Sequence, residues 1–329
     1  MKALIHDNLN KNGQLCIRKI PDSSPKKNEV KIKIKVAGLN RRDLFVMKNR
    51  DEEEGEFIPG SDGAGVIVEV GSDIYSDVLN QEVIINPTLN WERSDDVPIS
   101  PDILGGPTNG TFAEYVTVPF KNVVQKPRQL SWEEAGTLGL SAVTAYRALF
   151  TKGKLKSDEI VLIPGIGGGV ATFAMQFAKA VGAKVIVTSR HSQTLKKAQR
   201  LGADITLNSN IDWKDALGDT KVDLILDSIG PATFSKYLEI IKPNGRIVCF
   251  GASSGDSITL PLRSLFYPQI QLIGTSMGST QEFEEMIHFV MKHSISTVTE
   301  NVYPFEEAKI ALEHLENGVH FGNIGLAMY

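Results

Sequence analysis

The segment with the plainest chemical use is Ile160-Val161-Leu162-Ile163-Pro164-Gly165-Ile166-Gly167-Gly168-Gly169-Val170-Ala171. It reads as an apolar strand, a glycine-rich turn and the opening of a helix. Glycines at 165, 167, 168 and 169 let backbone N–H groups come close to a pyrophosphate, and the start of a helix adds partial positive charge. Val170, at the helix start, belongs with these glycines to the cofactor-binding turn, and the small Ala171 then lets the helix lie tightly on the strand. A glycine-rich loop with no ligand is the competing reading, since such a motif alone is weak. Context favours the cofactor: a second strand ends where this kind of fold puts the adenine ribose.

That second strand ends Thr188-Ser189-Arg190-His191-Ser192. A site for NAD places Asp or Glu there to bind the ribose hydroxyls. Here a guanidinium, Arg190, stands beside Ser189, which suits a 2′-phosphate and points to NADP(H). Lys196 and Lys197 follow, and a solvated helix face is the better reading for them.

Other chemistry is removed by counting. Cys16 and Cys249 are the only cysteines, so no CxxC pair, zinc ribbon or disulfide framework exists. The six histidines lack HExxH spacing and read as surface or helix-end residues. Lys plus Arg is 35 against 39 Asp plus Glu, a net charge of −4, which gives no general attraction to nucleic acid or anionic membrane. No stretch is apolar for the ~18 residues of a membrane span, and the N-terminus lacks the apolar core of a signal peptide. The expectation is a cytoplasmic protein acting on a small molecule.

These groups must be held by two kinds of architecture. With 329 residues, two domains are the default, and 42% hydrophobic residues suffice for globular cores. The first third is strand-like: 29–36 alternates charged and β-branched residues, as for a strand with one wet face, and 63–71, 81–85 and 112–118 are further strands. The acidic run 51–56 reads as a solvated loop, and 86–110, with four prolines, as a long loop of the kind that often serves function. Near residue 125 the pattern changes. Ser131 and Glu134 form a capping box predicting a helix to about Phe150. Strands at 160–163, 184–188, 222–227 and 246–251 then alternate with helices at 171–181, 192–201 and 234–241, the pattern of a doubly wound parallel sheet. A helix at 282–292, a strand at 296–302, a helix at 305–317 and a short final strand close the chain.

Several motifs in order carry a family likeness. They are Val36-Ala37-Gly38-Leu39-Asn40-Arg41-Arg42-Asp43-Leu44, Pro59-Gly60-Ser61-Asp62-Gly63-Ala64-Gly65, Leu140-Ser141-Ala142-Val143-Thr144-Ala145-Tyr146, Asp227-Ser228-Ile229-Gly230, Lys242-Pro243-Asn244-Gly245-Arg246 and His320-Phe321-Gly322-Asn323-Ile324. The chain resembles the medium-chain dehydrogenase/reductase superfamily, and within it the zinc-free quinone-oxidoreductase and alcohol-dehydrogenase-like branch. The resemblance implies an α/β protein: a GroES-like β-rich catalytic domain from 1–124 and 271–329, with a doubly wound Rossmann domain inserted at 125–270. It also implies a cleft between domains and a homodimer joined at sheet edges. The apolar run 269–274 could supply that edge, or be an ordinary buried strand.

Zinc-dependent relatives hold a metal with Cys, His and Cys or Glu. The matching positions here are Asn40, Ser61 and Leu140, and the loop 86–110 has no cysteine for a structural zinc. The expectation is a metal-free site. Without a metal, the easiest hydride acceptors are quinones and α,β-unsaturated carbonyls, whose developing charge is conjugated. Asn40 could donate to that oxygen, or hold a loop backbone. Asp43 and Asp62 could act in catalysis, or bind backbone N–H groups or Arg41 and Arg42. Thr144 and Gly251 fall where relatives approach the nicotinamide. Relatives that reduce quinones place a tyrosine where this chain has Phe45, and a basic residue where it has Asn323. Trp91, Phe266 and Tyr267 could line an apolar pocket or anchor loops.

Rival readings are weaker. No tyrosine has a lysine four residues on, which removes the short-chain dehydrogenases. A methyltransferase would share the glycine loop but leaves the N-terminal β-domain and Arg190 unexplained. A zinc-type alcohol dehydrogenase-like activity on aldehydes or alcohols, and a catalytically idle NADPH-binding redox sensor, remain as alternatives.

Overall fold

A computed structural model describes residues 1–7, 14–50, 55–74 and 76–329; most of the acidic run at 51–56 lies outside them. The chain divides into two compact units, residues 1–141 with 278–329, and residues 142–277. The sequence pattern changes earlier, near 125, because the Trp132–Gly136 helix belongs to the first unit's sheet. Gly136 lies so close to the Glu29–Leu39 strand that a Cβ there would stand 2.5 Å from the Val36 carbonyl oxygen.

In the first unit a mostly antiparallel sheet has the spatial order Thr299–Pro304, Asn323–Ala327, Glu29–Leu39, Ala64–Val70, Glu82–Ile85 and Val123–Gln125, with Tyr115–Pro119 also paired to Glu29–Leu39. Glu29–Leu39 thus pairs with three strands along its two edges, and most of its residues are buried. Lys31, expected on a wet face, is 7% exposed; it pairs with Asp22 at 2.6 Å and Glu69 at 3.4 Å and lies over the Tyr115 ring. Ile32, Ile34, Ile67, Val83 and Phe112 form the core of this unit with Leu312 and Leu315 from the Ala308–Asn317 helix. Residues 86–110 are not wholly irregular: Thr88–Leu89 and Asp102–Ile103 pair, and Trp91 is buried with its Nε1 donating to the Arg93 carbonyl at 2.7 Å, which makes it a loop anchor.

The second unit holds a six-stranded parallel sheet in the order Ile205–Asn208, Lys184–Ser189, Ile160–Ile163, Val222–Asp227, Ile241–Cys249 and Gln271–Gly274. Numbered along the chain this is 3-2-1-4-5-6, the dinucleotide-binding order, whose ligand crevice opens at the carboxyl ends of strands where the order reverses. That reversal falls between Ile160–Ile163 and Val222–Asp227. The inner strands are nearly continuous apolar runs, as helices on both faces require. Leu162, Ile186, Ile225 and Ile247 pack with Trp213 and Tyr237. Gln271–Gly274 is the sheet's outer edge, and Leu272 on it is 43% exposed, so it is not an ordinary buried strand.

The helix expected from Ser131 to Phe150 is broken. Ser131 Oγ accepts from Glu134 N at 3.2 Å and Glu134 returns the bond to Ser131 N, as the capping box requires, but the helix stops at Gly136. A separate helix, Gly139–Tyr146, follows, continued by a π-helical Arg147–Lys152.

Candidate functional site

The first unit gathers residues from three distant stretches. Asn40 ends the Glu29–Leu39 strand and begins the Arg41–Asn49 helix, whose first turn carries Asp43. Ser61 and Asp62 sit in the turn before Ala64–Val70. That turn needs Gly60, which has φ +100° and whose added Cβ would lie 2.4 Å from the Phe112 ring. Leu140 and Ser141 open the Gly139–Tyr146 helix.

Asn40, Asp43, Ser61, Asp62, Leu140 and Ser141 are all buried. Asp62 Oδ2 accepts from Asn40 Nδ2 at 2.9 Å, and its Oδ1 accepts from Leu140 N at 2.6 Å. Asp43 Oδ2 accepts from Asn40 N at 2.7 Å, while Oδ1 accepts from Ser61 Oγ at 3.3 Å. Ser141 Oγ donates to Asn40 Oδ1 at 3.4 Å. Arg42 closes the cluster from one side, donating to Ser61 Oγ at 3.2 Å and to the carbonyls of Leu104 and Gly106 at 3.4 and 2.6 Å. Burial pushes the Asp43 carboxyl up to about 6 and Asp62 to about 7, against the hydrogen bonds that favour their charged forms.

Asn40, Ser61 and Leu140, which the resemblance sets in the place of a catalytic zinc's ligands, are linked through Asp43 and Asp62, Leu140 by its backbone N–H, and carry an amide, a hydroxyl and an alkyl side chain. Zinc sites use thiolate, imidazole or carboxylate. Asp62 is a carboxylate, but both of its oxygens already receive N–H groups. Among the described residues no group of three or more His, Cys, Asp or Glu side chains could hold a metal ion. The donor set does not fit zinc.

The second unit places the glycine loop at the carboxyl end of Ile160–Ile163, beside the order reversal. Gly165 has φ +68°, and a Cβ there would come within 3.0 Å of Ile229 Cδ1. Its N–H reaches Thr188 Oγ1 at 3.3 Å, and Ile166 N donates to the Thr188 carbonyl at 2.8 Å, which fixes the loop to the neighbouring strand. Gly167 follows at φ 152°, and Gly168 caps the Gly169–Ala180 helix, in which Val170 is the second residue. A Cβ on Gly168 would meet nothing within 4 Å, so the space in front of this helix start is open to a ligand. These features fit a bound pyrophosphate.

Ser189 is buried at the end of Lys184–Ser189, its Oγ accepting from His191 N at 3.2 Å, while Arg190 is exposed just beyond. Lys196 and Lys197 are exposed on the Ser192–Arg200 helix, as a solvated face would be. Thr144 is 5% exposed, and its Oγ1 is buried with no hydrogen-bond partner among the described residues, which suits a polar ligand group. Gly251 follows the Ile241–Cys249 strand, where a Cβ would stand 3.2 Å from the Ser228 carbonyl oxygen. Phe266 and Tyr267 are largely exposed, with ring centroids 4.6 Å apart.

Two groups escaped the sequence reading. Ser141 was only one letter of a motif, and its contact with Asn40 spans 101 residues of chain. Asp227 is 1% exposed; its Oδ1 accepts from Ile229 N at 2.8 Å, Gly230 N at 3.0 Å and Tyr237 Oη at 2.8 Å, so it shapes the turn that packs on Gly165. An acidic residue closing an apolar strand just before a Ser-Ile-Gly turn was the available signal.

Comparison with known proteins agrees with this fold. Residues 26–128 match the family described as alcohol dehydrogenase GroES-like domain, and residues 169–292 match zinc-binding dehydrogenase. The chain is 31% identical to the zinc-type alcohol dehydrogenase-like protein YogA of Leptosphaeria maculans, across 94% of this chain and 93% of that protein. It is 29% identical to a crotonyl-CoA reductase of Streptomyces avermitilis, over 82% of this chain and 67% of that one. A crystal structure of an NAD-dependent alcohol dehydrogenase matches with a TM-score of 0.92 and 32% identity, each chain covered in full.

Proposed function

Since the chain belongs to the medium-chain dehydrogenase/reductase superfamily, we propose that it is an NADPH-dependent oxidoreductase that passes hydride, without a metal, to a quinone or an α,β-unsaturated carbonyl. The carrying observation is the convergence of Asn40, Ser61 and Leu140 where metal-dependent relatives would need zinc ligands, with the surrounding polar atoms spent on one another.

The nicotinamide, when bound, supplies the hydride. The chain's own share is to hold that cofactor and to meet the negative charge that grows on the acceptor oxygen. Gly165, Gly167, Gly168 and Gly169 offer backbone N–H groups to the pyrophosphate, Arg190 and Ser189 take the 2′-phosphate, and Thr144 and Gly251 border the nicotinamide. Asn40 donates from Nδ2 to the acceptor oxygen. One neutral donor is a weak electrophile beside a zinc ion, which favours acceptors that delocalise the charge themselves. A relative named as a crotonyl-CoA reductase acts on such an acceptor by its name, which supports the enone arm.

The alternative is a zinc-type alcohol dehydrogenase-like activity, favoured by a relative so named and by a similar structure named as an NAD-dependent alcohol dehydrogenase. Elemental analysis of protein purified without chelators separates the two. The proposal expects less than about a tenth of a zinc per chain, with turnover indifferent to chelator. Stoichiometric zinc whose removal abolishes turnover would overturn it. We further propose a homodimer joined through Gln271–Gly274, an open sheet edge with exposed Leu272.

A further inference from the structure

An asparagine can donate to a substrate only if its NH2 end faces the right way, because its oxygen and nitrogen ends have nearly the same shape. Around Asn40 that choice is made by neighbours on both ends of the amide. A carboxylate accepts only, so Asp62 Oδ2 at 2.9 Å demands the NH2 end. The Ser141 hydroxyl stands 3.4 Å from the other end and donates to Oδ1. Asp62 is itself immobilised: Leu140 N donates to Oδ1 at 2.6 Å, and Gly139 lies so near that a Cβ there would be 2.7 Å from the same oxygen. The Asn40 backbone is fixed separately by Asp43, through its N–H at 2.7 Å. Asp62 and Ser141 are 1% and 2% exposed, and Asn40, at 7%, is the least enclosed of the three.

We propose that Asp62, backed by Ser141, is a positioning residue: it orients the Asn40 amide so that one Nδ2 hydrogen is spent on the carboxylate and the other is held ready for the acceptor oxygen. This rests on the reading of Asn40 as the donor. Asp62→Asn is nearly isosteric, but Leu140 N must still be answered by the new amide's oxygen. The new NH2 then faces Asn40, whose amide turns over to offer its oxygen, and the donor leaves its place.

The test is a double-mutant cycle at pH 8 with NADPH and a quinone or enal. Asp62→Asn is expected to lower kcat about 10- to 100-fold, the scale of a lost oxyanion donor, while NADPH affinity by fluorescence titration and a cooperative thermal melt are kept. On an Asn40→Ala background the same change is expected to leave kcat within about twofold, since a residue acting through another is silent once that other is gone. The side-chain NH2 resonances of Asn40, assigned by their loss in Asn40→Ala, are expected to shift in Asp62→Asn whatever the turnover. Wild-type kcat and unshifted resonances in Asp62→Asn would overturn the proposal alone; an equal loss on both backgrounds would do the same. Wild-type kcat in Asn40→Ala would remove the donor reading first and this proposal with it. If Asp62→Asn does not fold, Ser141→Ala carries the same cycle, with a several-fold loss expected on the native background and none on Asn40→Ala; no loss on either overturns the proposal.

Discussion

Two buried carboxylates, Asp43 and Asp62, share Asn40 and its neighbours, and burial raises both toward neutrality. The folded state therefore keeps protons that an unfolded chain, with ordinary Asp groups near ~4, has already released. Between about pH 4 and about 7 the native state binds more protons, so stability falls as pH rises through that window. Half-buried His320, lowered to about 4, acts the other way below its ordinary 6.5, so the test is the difference between two proteins. The melting temperature of Asp62→Asn relative to the native protein is expected to rise from pH 5 to pH 8, and parallel curves would contradict this. Above the window Asp62 is the acceptor-only group that Asn40 requires. Arg190, exposed at a strand end, takes part in none of this packing. Arg190→Ala is expected to leave the melt unchanged and to weaken NADPH binding about 10- to 100-fold relative to NADH, the scale of a lost charge-assisted contact. An unaltered NADPH-to-NADH affinity ratio would remove it from the phosphate site.

At the scale of elements, the loop between Ile160–Ile163 and Gly169–Ala180 makes two demands that can be separated. Gly168 has free space where a Cβ would go and an ordinary φ of −81°. Gly168→Ala should fold as the native chain does yet bind NADPH at least about tenfold more weakly, because the added methyl fills the cradle the pyrophosphate would occupy. Unchanged affinity by titration would contradict that placement. This loop was legible beforehand because strand, turn and helix signals are local. The break after Gly136 was not. The capping box at Ser131 announced the helix start, but no local signal announced its end at Gly136, which lies against Val36, a hundred residues earlier in the chain. Lys31 misled in the same way, since alternation gives the period of a strand and not what lies over its face, here Asp22, Glu69 and the Tyr115 ring. Asp62 could be singled out by type, but its bond to Leu140 N joins stretches 78 residues apart, which no spacing rule reports.

Across the whole molecule, the chain builds one unit from both of its ends and the other from its middle. The middle unit leaves the Gln271–Gly274 edge open. Pairing that edge with its copy in a second chain would cover Leu272, so Leu272→Arg is expected to shift the sedimentation mass from dimer to monomer; a native protein that already sediments as a monomer would contradict the dimer. The central claim concerns the reaction, and one measurement reaches it most directly. Metal-stripped protein is given NADPH with a quinone, an enal or a simple aldehyde in parallel, and the loss of NADPH absorbance is followed. Oxidation with the quinone or the enal and none with the aldehyde is the predicted result. Turnover of the aldehyde alone, or only after zinc is restored, would contradict metal-free reduction of an activated acceptor, and silence with all three despite NADPH binding would point instead to an idle redox sensor.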